Sequence, residues 1–181
     1  VPFNLTKHGD VRVDNYYWLK ERDNPEVIAY LNAENEYTEA MTEHTKKFQK
    51  ALFEEIKGRI KQTDESVPYK KDGYFYYTRF QEGKQYGLYC RKAGSLESEE
   101  EVMIDANKLA EGHEFMAVRG LQVSANNALL AYAVDTRGRR TYTIHFKDLN
   151  TGRVLEDTIP DVTGNLAWAN DNRTLFYSKQ D

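Results

Sequence analysis

The spacing of apolar residues along the chain changes at about Thr63. Before that point, apolar positions recur every three or four residues, which is typical of helices with one buried face. Asn24 can cap such a helix, and Pro25 suits its first turn. The apolar positions then continue at intervals of four, which drift around a helix that has 3.6 residues per turn. We therefore predict two helices with a break near His44-Thr45, not one long helix.

After Thr63 the pattern changes to short apolar, β-branched and aromatic runs that are separated by turn residues. Runs of this kind predict β-strands joined by hairpins. The predicted strands are 73–80, 85–92, 101–105, 119–124, 128–135, 141–148, 153–159, 165–169 and 173–179. The four strands from 119–124 to 153–159 make one complete four-stranded unit. The earlier strands make another unit, and the last two supply half of a third.

Two stretches of this region nearly repeat each other. Residues 121–132 and 166–177 align without a gap, so the offset from position 121 to position 166 is 45 residues. The alignment places Asn126-Asn127 on Asp171-Asn172, and a weaker copy begins at Asp72-Gly73. An offset of about 40–50 residues is typical of β-propeller blades. The sequence therefore predicts a mainly β fold with N-terminal α-helices, in which two to three blades form a partial β-propeller.

Composition and charge narrow the possible partners. The 181 residues carry a net charge of −4, so the chain lacks the basic surface that nucleic-acid binding usually requires. The longest apolar run, 128–134, is far too short to cross a membrane. Cys90 is the only cysteine, which excludes an internal disulfide and favours a reducing compartment, so we expect a cytoplasmic protein. The histidines lack metal-ligand spacing, and we expect neither a metal nor a cofactor; they are His8, His44, His113 and His145.

The number of blades suggests that the chain is incomplete. A propeller needs about four to eight blades to close its ring, and the predicted strands supply fewer than three. The last strand is apolar and has no partner after it, and a bare edge of that kind promotes aggregation. We therefore expect these residues to be the front portion of a longer protein. Alone, they would rely on self-association or on the missing portion.

Several short motifs occur in the order and spacing of a known family. They are His8-Gly9-Asp10, Tyr16-Tyr17-Trp18-Leu19, Asn24-Pro25-Glu26-Val27, the stretch 55–62, Asp148-Leu149-Asn150-Thr151-Gly152 and Trp168-Ala169-Asn170-Asp171. Over essentially the whole chain, they resemble the N-terminus of the oligopeptidase B branch of the prolyl oligopeptidase family of serine peptidases. The resemblance implies that residues 1–70 form a helical segment that packs on an α/β-hydrolase domain. Residues 71–181 would then begin a seven-bladed propeller that caps the active site of that domain.

The resemblance also implies that the full-length protein hydrolyses short peptides with a nucleophilic serine and cuts after Arg or Lys. Such a serine should lie in a G-x-S-x-G elbow. None of the five serines has that frame; they are Ser66, Ser95, Ser98, Ser124 and Ser178. We therefore predict no catalytic residue in this segment and place the triad downstream of it. The segment would supply the tether helices and part of the cap that filters peptide substrates.

One candidate site follows from the geometry of a four-stranded blade. The start of the first strand and the loop between the second and third strands lie at the same end of a blade. Glu114 precedes the first strand of the complete blade, and Arg139 and Arg140 lie at its second-to-third-strand turn. We predict that these groups share one rim, are close enough to pair, and contact the catalytic domain. The alternative is an ordinary exposed ion pair.

Two other functions stay open on sequence grounds. One is a non-catalytic propeller that acts as a protein-binding scaffold, although the Trp-Asp ending of scaffold repeats is absent. The other is an exopeptidase of the same superfamily, which also has a propeller cap but matches the helical motifs less well. The aromatic strand from Tyr74 to Tyr77 and the residues Trp18 and Trp168 are most simply packing residues.

Overall fold

A computed structural model of the chain describes residues 2–179. The chain divides into two compact units, of which one ends at Ile60 and the other begins at Lys61. The assignment of 1–70 to a peptidase domain and of 71–181 to a propeller domain stays a prediction. Within the described residues, no helix is long and apolar enough to cross a membrane.

The first unit opens with a hairpin that was not predicted. Strands β1 (Phe3–Lys7) and β2 (Asp10–Asp14) are antiparallel and are joined by His8-Gly9. His8 has a φ of 55° and Gly9 a φ of 84°. Two adjacent residues with positive φ form the type I′ turn, whose twist matches that of the flanking strands. A short 3₁₀ helix, Tyr17–Lys20, follows the hairpin.

Both predicted helices and the break between them are present. Helix α1 (Pro25–Thr42) and helix α2 (Lys46–Arg59) flank a 3₁₀ turn at Glu43–Thr45. The side chain of Asn24 accepts a hydrogen bond from the Glu26 amide at 2.9 Å, which is the predicted N-cap. Many apolar side chains of the helices are more than half exposed, namely those of Tyr37, Met41, Phe48, Phe53 and Ile56, as is that of Ile60, which follows α2.

The second unit consists of two antiparallel sheets. The first sheet contains β3 (Tyr69–Lys71), β4 (Tyr74–Arg79), β5 (Leu88–Ala93) and β6 (Glu100–Asp105), and a single helical turn, α3 (Ala106–Leu109), follows it. The second sheet contains β7 (Ala117–Val123), β8 (Leu129–Asp135), β9 (Tyr142–Asp148), β10 (Val154–Trp168) and β11 (Leu175–Lys179). In each sheet, consecutive strands are neighbours. This up-and-down order is that of propeller blades.

Strand β10 differs from the prediction, because the predicted strands 153–159 and 165–169 are joined in one strand. Its first part pairs with β9 and its second part with β11, and Val162 has a partner on each side. The register shifts on both sides of Val162, and Asp161 and Gly164 have φ values of 59° and 83°. The strand therefore bends here and leads from the complete blade into the next one.

The core of the second unit lies between blades. One buried cluster combines Tyr76, Met103 and Ile104 of the first sheet with Leu130, Tyr132 and Leu149 of the second sheet and the turn that follows β9. A second buried cluster contains Ala131, Ala133, Tyr142, Ile144 and Val162, and Trp168 packs against it. Each sheet thus buries an apolar face against its neighbour, which is how stacked sheets gain stability from the hydrophobic effect.

The two copies of the sequence repeat form the same turn. In 124–129 and again in 169–174, the first amide donates a hydrogen bond to the last carbonyl, at 2.8 and 2.9 Å. Asn127 and Asn172 hold equivalent positions in these turns, with φ values of 61° and 58°. The repeat therefore corresponds to equivalent hairpins of successive blades.

Gly120 of β7 passes unusually close to β10. A Cβ atom on Gly120 would lie 2.3 Å from the carbonyl oxygen of Gly164, and Gly120 has a φ of 59°. We expect Gly120→Ala to lower the free energy of unfolding by more than about 2 kcal/mol, because the methyl group would force these strands apart. Urea denaturation of the whole protein measures the change.

Gly152→Ala is the matched control for Gly120→Ala. Gly152 also has a positive φ, of 73°, but nothing lies within 4 Å of its ideal Cβ position. The control should therefore lose only the conformational preference of glycine, which is about 1 kcal/mol. Equal losses in the two variants would contradict the close strand approach.

Candidate functional site

The candidate residues lie at one end of the complete blade, in two neighbouring segments. Arg139 and Arg140 belong to the loop 136–141, which joins β8 to β9, and Glu114 belongs to the segment that leads into β7. An ideal Cβ atom on Gly138 would lie 3.6 Å from the ring of Phe115. The two segments therefore lie side by side, and we refer to them together as the arginine rim.

A buried carboxylate fixes the backbone of the loop 136–141. Asp135 is 2% exposed at the end of β8. It accepts hydrogen bonds from the amides of Arg137 at 2.8 Å, Gly138 at 3.0 Å and Arg140 at 2.7 Å. A buried carboxylate is costly unless it is well hydrogen-bonded, so these donors make the position tenable. The loop is preorganised by Asp135, and Arg140 is held at a φ of 59°.

The arginine rim presents three exposed guanidinium groups, those of Arg137, Arg139 and Arg140. Among residues 2–179, no ion pair includes any of the three or joins them to Glu114. Glu114 therefore forms no ion pair with Arg139 or Arg140 among these residues. The physical reason is that an exposed pair gains only about 0–1 kcal/mol, too little to hold two long side chains together. The proposed contact with another domain stays a prediction.

The side chains of Ser124 and His145 have structural partners. The buried Ser124 hydroxyl donates to Asn126 Oδ1 at 2.7 Å and accepts from the Leu129 amide at 2.9 Å, which closes the hairpin turn. His145 stacks on Tyr132 with ring centroids 5.6 Å apart, and burial lowers the pKa of His145. In the part of the chain that the structure describes, no serine hydroxyl is hydrogen-bonded to a histidine, as a nucleophile and its base would be.

The same described residues contain no group of three or more His, Cys, Asp or Glu side chains that could hold a metal ion.

The aromatic strand behaves as a packing element, because Tyr76 and Tyr77 are buried. Trp168 also packs in the core, and its Nε1 donates to the Gln122 carbonyl at 2.9 Å.

The densest polar cluster lies in the first blade and was not predicted. Glu100 accepts hydrogen bonds from Arg79 Nε at 2.9 Å, Arg79 Nη2 at 2.6 Å and the Tyr77 hydroxyl at 2.6 Å. The Arg79 hydrogen bonds lower the pKa of Glu100 to about 2. Burial raises the pKa of the adjacent Cys90 thiol to about 12 and also raises the pKa of Tyr77.

These pKa values decide what the cluster can do. A general acid or base works best with a pKa near the working pH, and a nucleophilic cysteine needs a lowered pKa. Glu100 stays ionised and Cys90 stays protonated near neutral pH. The cluster is therefore suited to holding strands β4 and β6 together across β5. The sequence pattern did not indicate this cluster, because its members come from three separate strands.

Comparison with known proteins identifies the family. Residues 2–181 match the family described as prolyl oligopeptidase, N-terminal beta-propeller domain. The chain belongs to the prolyl oligopeptidase family. This confirms the resemblance seen in the motifs, and it also confirms the partial propeller with N-terminal helices.

Individual relatives give the extent of the match. The chain is 44% identical to dipeptidyl aminopeptidase BI from Pseudoxanthomonas mexicana, over 96% of this chain and 26% of that protein. It is 36% identical to Protease 2 from Moraxella lacunata, over 100% of this chain and 27% of that protein. Oligopeptidase B from Leishmania major superposes with a TM-score of 0.89 and 30% identity, over 100% of this chain and 28% of that one. The chain spans about a quarter of the length of these relatives.

The Glu100 cluster generates a prediction about pH. The pKa of Glu100 is lower in the folded protein, about 2, than the ordinary value of 4.5. Its contribution to stability is therefore complete above about pH 5 and is lost as the pH falls towards 2. We expect Glu100→Gln to be less stable than the wild type at neutral pH and to lose less stability on acidification. Urea midpoints across this pH range measure both effects.

Glu99→Gln is the control, because it removes a neighbouring, exposed carboxylate. It should retain the pH dependence of the wild type. If Glu100→Gln lost stability on acidification as steeply as Glu99→Gln does, the assignment of this pH dependence to the Arg79–Glu100 pair would be wrong.

Proposed function

We propose that this chain is the N-terminal part of a serine oligopeptidase of the oligopeptidase B type, which hydrolyses short peptides after Arg or Lys. The observation that carries the proposal is the fit of the whole chain to one family. Residues 2–181 match its propeller domain, and the fold superposes on oligopeptidase B from Leishmania major with a TM-score of 0.89. The 36% identity to Protease 2 from Moraxella lacunata adds support.

The reacting serine and its base would lie in a portion of the protein outside this chain. Support comes from the length of the relatives, of which the chain spans about a quarter. It also comes from Ser124 and His145, which are occupied in turn and core contacts. In such an enzyme, the serine hydroxyl attacks the peptide carbonyl carbon while a histidine takes its proton, and the same histidine then protonates the leaving amine.

This chain would contribute two parts of the full-length enzyme, a propeller wall and a pair of tether helices. The propeller blades would form a wall that excludes folded proteins and admits short peptides to a site sheltered from water. The buried core that joins the blades face to face supports this proposed role. The helices α1 and α2 would tether this cap to the α/β-hydrolase domain, and their exposed apolar side chains, such as Tyr37, Met41 and Phe48, suit such a contact.

We propose that the arginine rim docks on the catalytic domain, with Arg139 and Arg140 facing acidic groups there and Glu114 beside them. The rim combines unpaired guanidinium groups, a loop backbone fixed by Asp135, and the exposed ring of Phe115. Arginine and aromatic side chains are the residues that contribute most at protein interfaces. A preorganised loop also loses less entropy on binding than a flexible one.

A second candidate function is the removal of dipeptides from the amino end of peptides. The observation in its favour is that the identity to dipeptidyl aminopeptidase BI, at 44%, exceeds the 36% identity to Protease 2. A non-catalytic scaffold is the weaker alternative, because the names of both relatives are those of peptidases.

We also propose a cytoplasmic location, which is supported by the single, buried Cys90. If these 181 residues were produced alone, we would expect self-association through the apolar side chains at the edge strand β11. Phe176 and Tyr177 of that strand are 63% and 46% exposed.

The products of digestion test the proposed reaction. We expect the full-length protein to cut a peptide on the carboxyl side of an internal arginine, whether or not the amino terminus is acetylated. Mass spectrometry of the fragments identifies the bond that is cleaved. Successive release of dipeptides, abolished by acetylation, would favour the second candidate. A full-length protein that cleaves neither peptide would contradict both peptidase proposals.

The docking role of the arginine rim has its own test. We expect the double variant Arg139→Ala/Arg140→Ala of the full-length protein to lose about tenfold in kcat/KM, equivalent to about 1.4 kcal/mol. Its urea midpoint should hardly change, because both side chains are exposed and unpaired. Peptide hydrolysis and denaturation are measured on the same preparations.

Arg153→Ala is the matched control. Arg153 is also exposed and lies in the turn between β9 and β10, at the opposite end of the same blade. It should leave kcat/KM unchanged. Unchanged kinetics in the double variant would rule out docking through Arg139 and Arg140.

A further inference from the structure

We infer that Asn127 and Asn172 are clasps that tie each blade to the preceding one at a single end of the propeller. Three equivalent turns join the first strand of a blade to its second strand: 72–73, 124–129 and 169–174. We refer to them as the first-hairpin turns. Because strands alternate in direction, these turns lie at the end opposite the arginine rim. The inference does not depend on the proposed peptidase activity.

The first clasp joins the first two blades. Asn127 Nδ2 donates to the Asp72 carbonyl at 3.0 Å, and Asn127 Oδ1 accepts from the Tyr76 hydroxyl at 3.4 Å. The Asn127 carbonyl accepts from Arg91 Nη1 at 3.1 Å. Arg91 is itself 3% exposed and is held by Glu101 through two hydrogen bonds of 2.6 and 3.1 Å. Asn127 of the second blade is thus hydrogen-bonded to three residues of the first blade, namely Asp72, Tyr76 and Arg91.

The second clasp joins the second and third blades, and its hydrogen bond runs in the opposite direction. Asn172 Oδ1 accepts from the backbone amide of Asn126 at 2.8 Å. Trp168 lies beside it and reinforces the junction by donating from Nε1 to the Gln122 carbonyl at 2.9 Å. Asn127 therefore acts as a donor towards the earlier turn, whereas Asn172 acts as an acceptor from it.

Asparagine suits both positions for two physical reasons. Asn127 and Asn172 have φ values of 61° and 58°, and asparagine tolerates this left-handed region better than most residues. Its side-chain amide also offers both a donor and an acceptor, whereas aspartate offers only acceptors and glycine offers neither. The recurrence of asparagine at equivalent places in the repeat thus has a cause in addition to turn formation.

The clasps leave the two ends of the blades unequal. At the clasp end, side-chain hydrogen bonds link all three first-hairpin turns in series. At the other end, no hydrogen bond between described residues links the loop 80–87 of the first blade to the loop 136–141 of the second. At that end, the chain itself joins the two blades, through the segment between β6 and β7.

Aspartate substitutions in the full-length protein test the clasps, because the hydrogen bond to the earlier turn uses Nδ2 of Asn127 but Oδ1 of Asn172. Asn127→Asp removes the donor to the Asp72 carbonyl, whereas Asn172→Asp retains the acceptor for the Asn126 amide. We expect hydrogen exchange in the first-hairpin turns to rise by about tenfold in Asn127→Asp and to stay at the wild-type rate in Asn172→Asp. Mass spectrometry of peptic fragments gives these rates.

Glycine substitutions complete the design, because glycine accepts the left-handed conformation but has no amide group. Asn127→Gly and Asn172→Gly should both raise exchange in the first-hairpin turns, while exchange in the loop 136–141 stays unchanged. Equal behaviour of the two aspartate variants would overturn the inference, because it would show that the turns respond only to backbone preference. If Asn127→Asp fails to fold while Asn172→Asp folds, the inference is supported; the reverse result refutes it.

Discussion

The burial of one apolar sheet face against the next is the constraint on which this structure depends. A single antiparallel sheet would leave Tyr76, Leu130 and Tyr132 in water, and stacking the two blades buries all three. The stack fixes the distance between equivalent turns. Only then can short side chains such as those of Asn127 and Asn172 reach from one turn to the next. Hydrogen bonds at the blade ends are therefore a consequence of the packing. They join particular residues of neighbouring turns, which the non-directional hydrophobic contacts do not do.

Side-chain hydrogen bonds to the backbone have different roles at the two ends of the complete blade. At one end, the buried carboxylate of Asp135 holds backbone amides, so the loop is ordered by a residue of its own blade. At the other end, Asn127 bonds to the neighbouring blade. The first arrangement leaves the guanidinium groups of Arg139 and Arg140 free for an external partner. A rim that is internally rigid and externally unpaired is what a docking surface requires.

Much of the fold could be predicted because its signals are local. The helix break near His44 follows from apolar spacing, and the blades follow from a repeat whose turns share a left-handed asparagine. The hairpin at His8-Gly9 was missed although its two-residue turn is a short-range signal. The continuity of β10 could not be read locally, since it depends on partners that flank Val162 on both sides. Among the described residues, Glu114 forms no ion pair, because proximity in a loop supplies little energy.

The clasps and the arginine rim lie at opposite ends of the blades, and the chain itself passes from the first blade to the second at the rim end, through the segment between β6 and β7. The blades are thus joined covalently at one end and by the side chains of Asn127 and Asn172 at the other. Because the packing between these ends buries Tyr132 of β8, it also sets the place at which the following loop, with Arg139 and Arg140, leaves the sheet. Docking of that loop on an acidic surface, as proposed, would therefore cost little conformational entropy.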